Sequence, residues 1–434
     1  MENKTKQYIF ILIFGLISLP LLQFWIPFKY EDPLKGAVEL INKPNFERKT
    51  WWSGEFQTKY ELWFNQHFGF RNTAVRVHNQ LAFSLFNTAK ANGVIIGKEN
   101  YLYELNYINA LTGKDFIGTS KIEERSKQLE IVNKLIEEQG KLLIVTFAAG
   151  KASYFPSFIP NEYGKPVYKT NYNYYSNILQ KSTIHFIDFN KWFLKIKEDS
   201  PYPLFSKTGI HWTMYGSLNV TDSLIKYIER KKNIDMPSII KTGQLISDSL
   251  QGSDNDINEG MNLFFPIKTE KLAYPIYHFE PSEGKVKPKL LVIADSYFWS
   301  IYDQLKTPSC FSEITFRFYN KEVRNTNGNS WTSSGLEDWK EEINNHDIIL
   351  LMSTEANLSN FPWGFSDQLL NAYNETEEQK VRRLTILKNE NSIKENAAWL
   401  ASVKHKAEER NISLDSMIRL DAIYLMEMDK MKKQ

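Results

Sequence analysis

The strongest pattern along the chain is a charge-free run at residues 8–28, YIFILIFGLISLPLLQFWIPF. As a helix, its roughly 20 apolar residues match the hydrocarbon core of a bilayer. Lys4 and Lys6 precede it, which places the N-terminus in the cytoplasm by the positive-inside rule, with Phe24, Trp25 and Phe28 at the far interface. Pro20 is tolerated in such a helix. A cleaved signal peptide is the competing reading, but the run is long for one and ends in Trp25-Ile26-Pro27 without a small-x-small site. The expectation is an uncleaved single-pass anchor, since no second run of that length follows.

Past the anchor the periodicity changes. In residues 51–86, Phe56, Tyr60, Trp63, Phe64, Val75, Val77, Leu81 and Leu85 recur near helical spacing, interrupted by His67-Phe68-Gly69-Phe70-Arg71, which predicts two helices around a glycine turn. Residues 94–103, VIIGKENYLY, read as a hairpin. An α/β rhythm follows: helix 122–139 ended by Gly140, strand 141–148, helix 171–181, strand 185–189, helix 214–230, then strands 289–294, 313–319 and 347–352. Continuous apolar strands alternating with helices predict an α/β fold with a mainly parallel sheet covered on both faces. Its site belongs at the carboxyl ends of the strands.

Residues 367–434 contain no Gly or Pro and carry Ala397, Trp399, Leu400, Val403, Met417, Ile418, Leu420 and Ile423 at helical spacing. This predicts a helical tail, read as a hairpin broken near Asn411, which covers the domain or docks a partner. The expected division is 1–28 for the cytoplasmic tip and anchor, 29–365 for the α/β domain and 366–434 for the extension.

Composition narrows the function. The 434 residues are 42% hydrophobic, as in a folded globular chain, and Lys+Arg 53 against Asp+Glu 51 leaves a formal charge of +2. With no basic stretch, a nucleic-acid partner is disfavoured. A single cysteine, Cys310, excludes an internal disulfide and a cysteine-rich metal site; it reads as an ordinary thiol. The histidines are scattered without ligand spacing, and no Gly-rich nucleotide loop is present, so neither metal nor cofactor is expected. The 28 Phe, 22 Tyr and 11 Trp suit sugar stacking, although such clusters are more often core.

Two short segments carry candidate chemistry. Strand 289–294 runs directly into Asp295-Ser296-Tyr297-Phe298, which puts a serine hydroxyl at the sheet edge where a following helix can turn N–H groups toward an oxyanion. Asp-Ser is also a common helix cap. The second segment, TGIHWTMYG at 208–216, sets His211 in a turn before a helix, and histidine is the side chain able to take a serine proton near neutral pH.

TGIHWTMYG resembles the D-x-H-W-(T/N)-x-x-G block, and VIADSYF the G-D-S-(F/Y) block, of the SGNH-hydrolase-like family that contains the alginate O-acetylation proteins AlgJ and AlgX. The order, histidine before serine, is the permuted arrangement of that family. WWSGEFQTKYELWFNQHFGFR, VIIGKENYLYE and GKASYFP are further family-like pieces, so that the resemblance covers most of 51–365. It implies an SGNH-hydrolase-like three-layer sandwich and an O-acetyltransferase acting on a cell-surface or exported polysaccharide, with Ser296 as nucleophile and His211 as base. It also implies a periplasmic or exterior ectodomain and a multipass acyltransferase of the MBOAT class as acetyl supplier. An acetylesterase using the same dyad, and a non-catalytic glycan-binding or export scaffold, are the alternatives.

Two positions depart from the family pattern. Ala294 replaces a usual glycine, and Gly209 stands where the family has its acidic residue. Another acid or a backbone carbonyl must then orient His211, or the site is slow or degenerate. Asp254 and Asp256, in the polar SDNDINEG loop, are candidates by composition only, against a solvated-loop reading. Asp295, Lys151, Tyr154 and Tyr302 are supporting candidates, and Glu355 and Asn357 at the end of the last strand are weaker ones.

Overall fold

Three strands buried along almost their whole length, at the centre of a seven-stranded sheet, account for the longest apolar runs. The computed structural model describes residues 2–36, 41–306, 310–332 and 338–433. In chain order, β1 (Val94–Ile96) and β2 (Leu102–Glu104) pair as the expected antiparallel hairpin. β3 (Leu142–Ala148) and β4 (His185–Asp188) enter the central sheet. β5 (Ile239–Ser247) and β6 (Leu272–Phe279) form a separate antiparallel ribbon. β7 (Lys289–Ala294), β8 (Glu313–Phe318), β9 (Glu322–Asn325), β10 (Ser330–Thr332) and β11 (Ile348–Thr354) complete the sheet.

The sheet order is β10-β9-β8-β7-β11-β3-β4. All pairs from β8 to β4 are parallel, while β9 and β10 add an antiparallel edge. Side chains alternate between two cores, as a period of two requires. Ile144, Val292 and Leu350 face one core with Val220, Leu224, Phe298 and Phe193. Val145, Ile293 and Leu351 face the other with Leu129, Val132, Tyr175 and Phe365. The first layer therefore holds helices Phe189–Ile196, Met214–Lys232 and Phe298–Leu305, the second Thr119–Glu137, Asn171–Leu179 and Phe365–Asn374. This is the three-layer, mainly parallel arrangement that the sequence predicts.

The N-terminal helix spans Glu2–Trp25, and its stretch Lys4–Trp25 is long and apolar enough to cross a membrane, with mean hydropathy 2.0. Three helices, not two, fill the next region: Arg48–Trp52, Glu55–His67 and Arg71–Phe86, with an extra break at Gly54, whose φ is 81°. The turn at Gly69 does more than reverse the chain. A Cβ there would collide with the Pro20 carbonyl and the Phe24 N–H, so glycine lets the turn sit against the end of the apolar helix. Phe24 packs edge-on to Trp63 and Phe64, with ring centroids 5.9 and 5.1 Å away.

The C-terminal tail is also more divided than a hairpin. A break does fall at Asn411, which has φ 53°, but Asn396 makes another by capping the following helix through the Trp399 N–H. Helices Glu377–Glu395, Ala397–Glu409 and Leu414–Lys433 form a three-helix bundle around Ile386, Ile393, Val403, Met417, Ile418 and Ala422. The expected boundary at 365/366 falls inside Phe365–Asn374, a helix whose Phe365 and Leu369 belong to the sheet's second core. The β5–β6 ribbon was not anticipated. β5 is exposed along most of its length, so no apolar run announces it, and segment 248–271 is carried between its two strands.

Candidate active site

Ser296 occupies the turn between β7 and helix Phe298–Leu305, at the carboxyl edge of a central parallel strand. Asp295, fully buried beside it, is used structurally. Its Oδ2 accepts from the Thr354 N–H at 2.7 Å, the Thr354 hydroxyl at 2.8 Å and the Asn357 amide at 2.9 Å, and its Oδ1 accepts from the Tyr297 N–H at 3.2 Å. The serine turn is thereby tied to the end of the neighbouring strand β11. Asn357 thus helps hold the turn.

His211 lies across from it. The His211 Nε2 and Ser296 Oγ are 2.9 Å apart, and His211 Nδ1 is 2.6 Å from Asp256 Oδ2. Sequence reasoning left Gly209 as a gap in the motif; in the structure the acid arrives from segment 248–271. Asp256 Oδ1 also accepts from the Ile210 N–H at 2.9 Å and from the Ile257 N–H at 2.7 Å, which fixes the carboxylate's orientation. The glycine and the substitute acid depend on one another. A Cβ at Gly209 would stand 2.5 Å from the Ser253 carbonyl oxygen and 2.8 Å from the Asp254 backbone, so only glycine lets the Asp256 loop come this close.

The backbone around Gly209 and Ile210 in the histidine turn is hydrogen-bonded, as a buried loop demands. The Gly209 N–H donates to Ser206 Oγ at 2.8 Å, and the Ile210 carbonyl accepts from the Tyr297 hydroxyl at 2.6 Å. Lys151 lies fully buried beneath and donates from Nζ to the carbonyls of Gly209 at 2.6 Å and Lys207 at 2.9 Å. Burial pulls its pKa down to about 7, against the opposing pull of Asp256 and Glu270.

The remaining motif positions have equally plain uses. Trp212 is fully buried and donates to Ser300 Oγ at 2.7 Å, locking the histidine segment to the serine helix. Thr213 caps helix Met214–Lys232 through the Gly216 N–H, and Gly216 permits contact with the Leu204 carbonyl and the Phe193 ring.

Of the two loop acids, Asp254 is completely buried, and desolvation pushes its pKa up to about 7. Asp256 keeps 29% of its side chain exposed and accepts three hydrogen bonds. For His211, burial disfavours the imidazolium, but the hydrogen bond and charge of Asp256, with smaller contributions from Glu104 and Asp295, outweigh it and leave the pKa raised. Tyr319, on the other side of Ser296, has its pKa pushed up to about 12 by burial and the Asp295 charge, opposed by hydrogen bonding with Ser296 and Asn357.

Several solved structures are similar to this chain, three of which follow. The O-acetyltransferase domain of Pseudomonas putida AlgJ matches at 14% identity and TM-score 0.43, over 64% of this chain and 99% of that one. Bacillus cereus PatB1, described with a sulfonyl adduct, matches at 13% identity and TM-score 0.41, over 61% and 97%. Pseudomonas aeruginosa AlgX matches at 12% identity and TM-score 0.40, over 63% and 67%. No family model matches the sequence, and no curated protein does.

The other sequence candidates are placed differently from what the motifs suggested. Tyr154 is buried against Phe155 and Phe205, with the Lys197 ammonium over its ring, and Tyr302 packs on Trp299 and Phe316. Both are packing residues and do not line the site. Glu355 is buried at the Gly150 turn, bonded to Ser153 and to the Asn190 amide at 2.8 Å, and desolvation raises its pKa to about 7. Cys310 is a buried thiol whose pKa burial drives upward. Among the described residues no group of His, Cys, Asp and Glu could hold a metal ion. Sequence reasoning missed Tyr297 and Tyr319. Tyr297 stands next to the serine and could have been noticed; Tyr319 carries no local signal.

Proposed function

We propose that the chain is a membrane-anchored O-acetyltransferase that moves an acetyl group onto a hydroxyl of a cell-surface or exported polysaccharide through an acetyl-serine at Ser296. The observation that carries this reading is the unbroken hydrogen-bonded line Asp256–His211–Ser296. In the first half-reaction His211 Nε2 takes the Ser296 proton as Oγ attacks the acetyl carbonyl, and returns it to the leaving group when the tetrahedral intermediate collapses. Asp256 holds the imidazole tautomer and stabilises the imidazolium. In the second half-reaction His211 takes the proton of a sugar hydroxyl, the sugar oxygen attacks the acetyl-serine, and the proton passes back to Ser296 Oγ. The Tyr319 phenol, still protonated at neutral pH, is suited to meet the oxyanion.

The apolar helix Lys4–Trp25 supports anchoring, with residues 29–365 as a catalytic domain in the periplasm or at the exterior and 366–434 as an extension. The multipass MBOAT-class donor partner follows from the family resemblance. Lys151 and Asp295 are assigned positioning roles: one holds the histidine turn, the other the serine turn.

Intact-mass measurement of the full chain in detergent, after brief exposure to 4-nitrophenyl acetate, tests the covalent step. A transient gain of about 42 Da, absent in Ser296→Ala and His211→Ala, is the expected result. An adduct that persists in Ser296→Ala would sink the mechanism. Once the adduct is established, loss of the acetyl group to water alone, with every saccharide acceptor refused, would turn the reading to an esterase.

A further inference from the structure

The proposed acetyl-serine needs an acceptor, and a cleft of about 620 Å³ opens next to it, lined by Tyr319, Asn357, Asn360, Trp363 and Gln368 with Lys321 at its mouth. Its position relative to the nucleophile is fixed by short links. The Tyr319 N–H donates to the Ala294 carbonyl at 2.8 Å, two residues before Ser296, and Asn357 reaches Asp295.

The backbone of this cleft is unusual. Tyr319 and Trp363 have φ of 49° and 52°; among the described residues only one other aromatic, Phe70, has positive φ. The left-handed region is unfavourable for a residue with a Cβ, and such outliers gather at functional sites. Here they turn two rings toward one opening, with centroids 5.6 Å apart and planes at 70°. Asn320 fixes the pair: its amide donates to the Trp363 carbonyl at 3.2 Å and to the Gln368 side chain at 3.1 Å. Aromatic faces with neutral amides and no carboxylate suit a ligand that is apolar on one face and rich in hydroxyls at its edge. Lys321 adds a positive charge that disfavours cationic ligands.

We propose that this cleft is the acceptor subsite, and that it takes a pyranose ring, neutral or bearing a carboxylate, stacked against Trp363 so that a ring hydroxyl reaches Ser296. The proposal rests on the O-acetyltransferase reading of the same site, and its test separates the two. Binding is read without chemistry, by saturation-transfer NMR of xylopentaose, pentagalacturonate and a chitosan pentamer on full-length protein carrying Ser296→Ala. Xylopentaose and pentagalacturonate are expected to bind and the chitosan pentamer to be refused. Adding Trp363→Ala is expected to weaken binding at least tenfold, and Trp363→Phe to restore most of it. Lys321→Glu should weaken pentagalacturonate and leave xylopentaose unchanged.

In the chain with Ser296 intact, the KM for the accepting saccharide should rise at least tenfold in Trp363→Ala, and the ratio of transferred to hydrolysed acetyl should fall. Asn360→Ala, an exposed position, provides a second variant with the same expected direction should Trp363→Ala fail to fold. Absence of binding by all three saccharides overturns the subsite, as does binding indifferent to Trp363. Failure of the acetyl-enzyme to form, with saccharide binding intact, would instead count against the transferase chemistry and leave the cleft as a sugar site.

Discussion

Gly209 and Asp256 change meaning once they are considered together. On the sequence the glycine is a missing acid; in space it is the clearance through which the replacement acid arrives. Asp256→Asn is expected to lower the rate of acetyl-enzyme formation by about 10^4-fold, because the amide no longer selects the right tautomer. The pH profile gives an independent readout. His211 must be neutral to act as a base, and its pKa is raised, so the acid limb of the wild type lies at higher pH than an ordinary histidine would give. Without the Asp256 carboxylate, desolvation dominates and the limb moves to lower pH. Placing an acid at position 209 should do harm: Gly209→Asp in the Asp256→Asn background should recover nothing, since its Cβ meets backbone of the 248–271 segment. Gly209→Ala alone should cost about 1–3 kcal/mol in thermal or urea unfolding, with acetyl-enzyme formation at least about tenfold slower.

At the scale of elements, what could be read from the sequence divides according to burial. β3, β7 and β11 are covered on both faces and so announce themselves as KLLIVTFA, KLLVIA and DIILLM, and with them the carboxyl edge where Ser296 sits. In the ribbon, β5 is exposed along most of its length and β6 carries a proline, so it leaves no clear trace in the sequence, yet it delivers Asp256. Spacing cannot reveal a partner 45 positions from His211 when tertiary structure alone brings it back. Asp295 shows the reverse case, a motif acid whose place was legible and whose use was not: it anchors the serine turn to β11. Asp295→Asn would place an NH2 group opposite at least one of the N–H and O–H donors that the carboxylate now accepts from, so a loss of about 1–3 kcal/mol is expected in urea unfolding. The accompanying fall in acetyl-enzyme formation should exceed what the unfolded fraction explains. An unchanged midpoint would show that the Thr354 and Asn357 links carry no weight.

For the whole molecule the question is how far the sheet domain depends on its two additions. The apolar N-terminal helix is gripped at its end by Gly69, Trp63 and Phe64, which makes it and the first helices after it one unit. The C-terminal bundle is joined more loosely. Its buried residues share no cluster with either face of the sheet. A direct link is the Lys380–Asp338 ion pair at 2.6 Å, with both side chains about one-third exposed or less. Pairs of that exposure contribute at most about 1 kcal/mol, and Asp338 keeps its capping bonds to the Lys340 and Glu341 N–H groups without it. Ending the chain after Asn374 preserves Phe365 and Leu369 in the second core while removing the bundle. The truncated protein is expected to melt within about 4 °C of the full chain, a shift worth roughly 1 kcal/mol or less, and to form the acetyl-enzyme at an undiminished rate. Calorimetry of the full chain should then show the bundle as a separate transition below the main one, because so small a core is marginal by itself. A single transition in the full chain, together with collapse of the truncated protein, would mean that the bundle is an integral part of the fold and that the apparent separation of the cores is misleading.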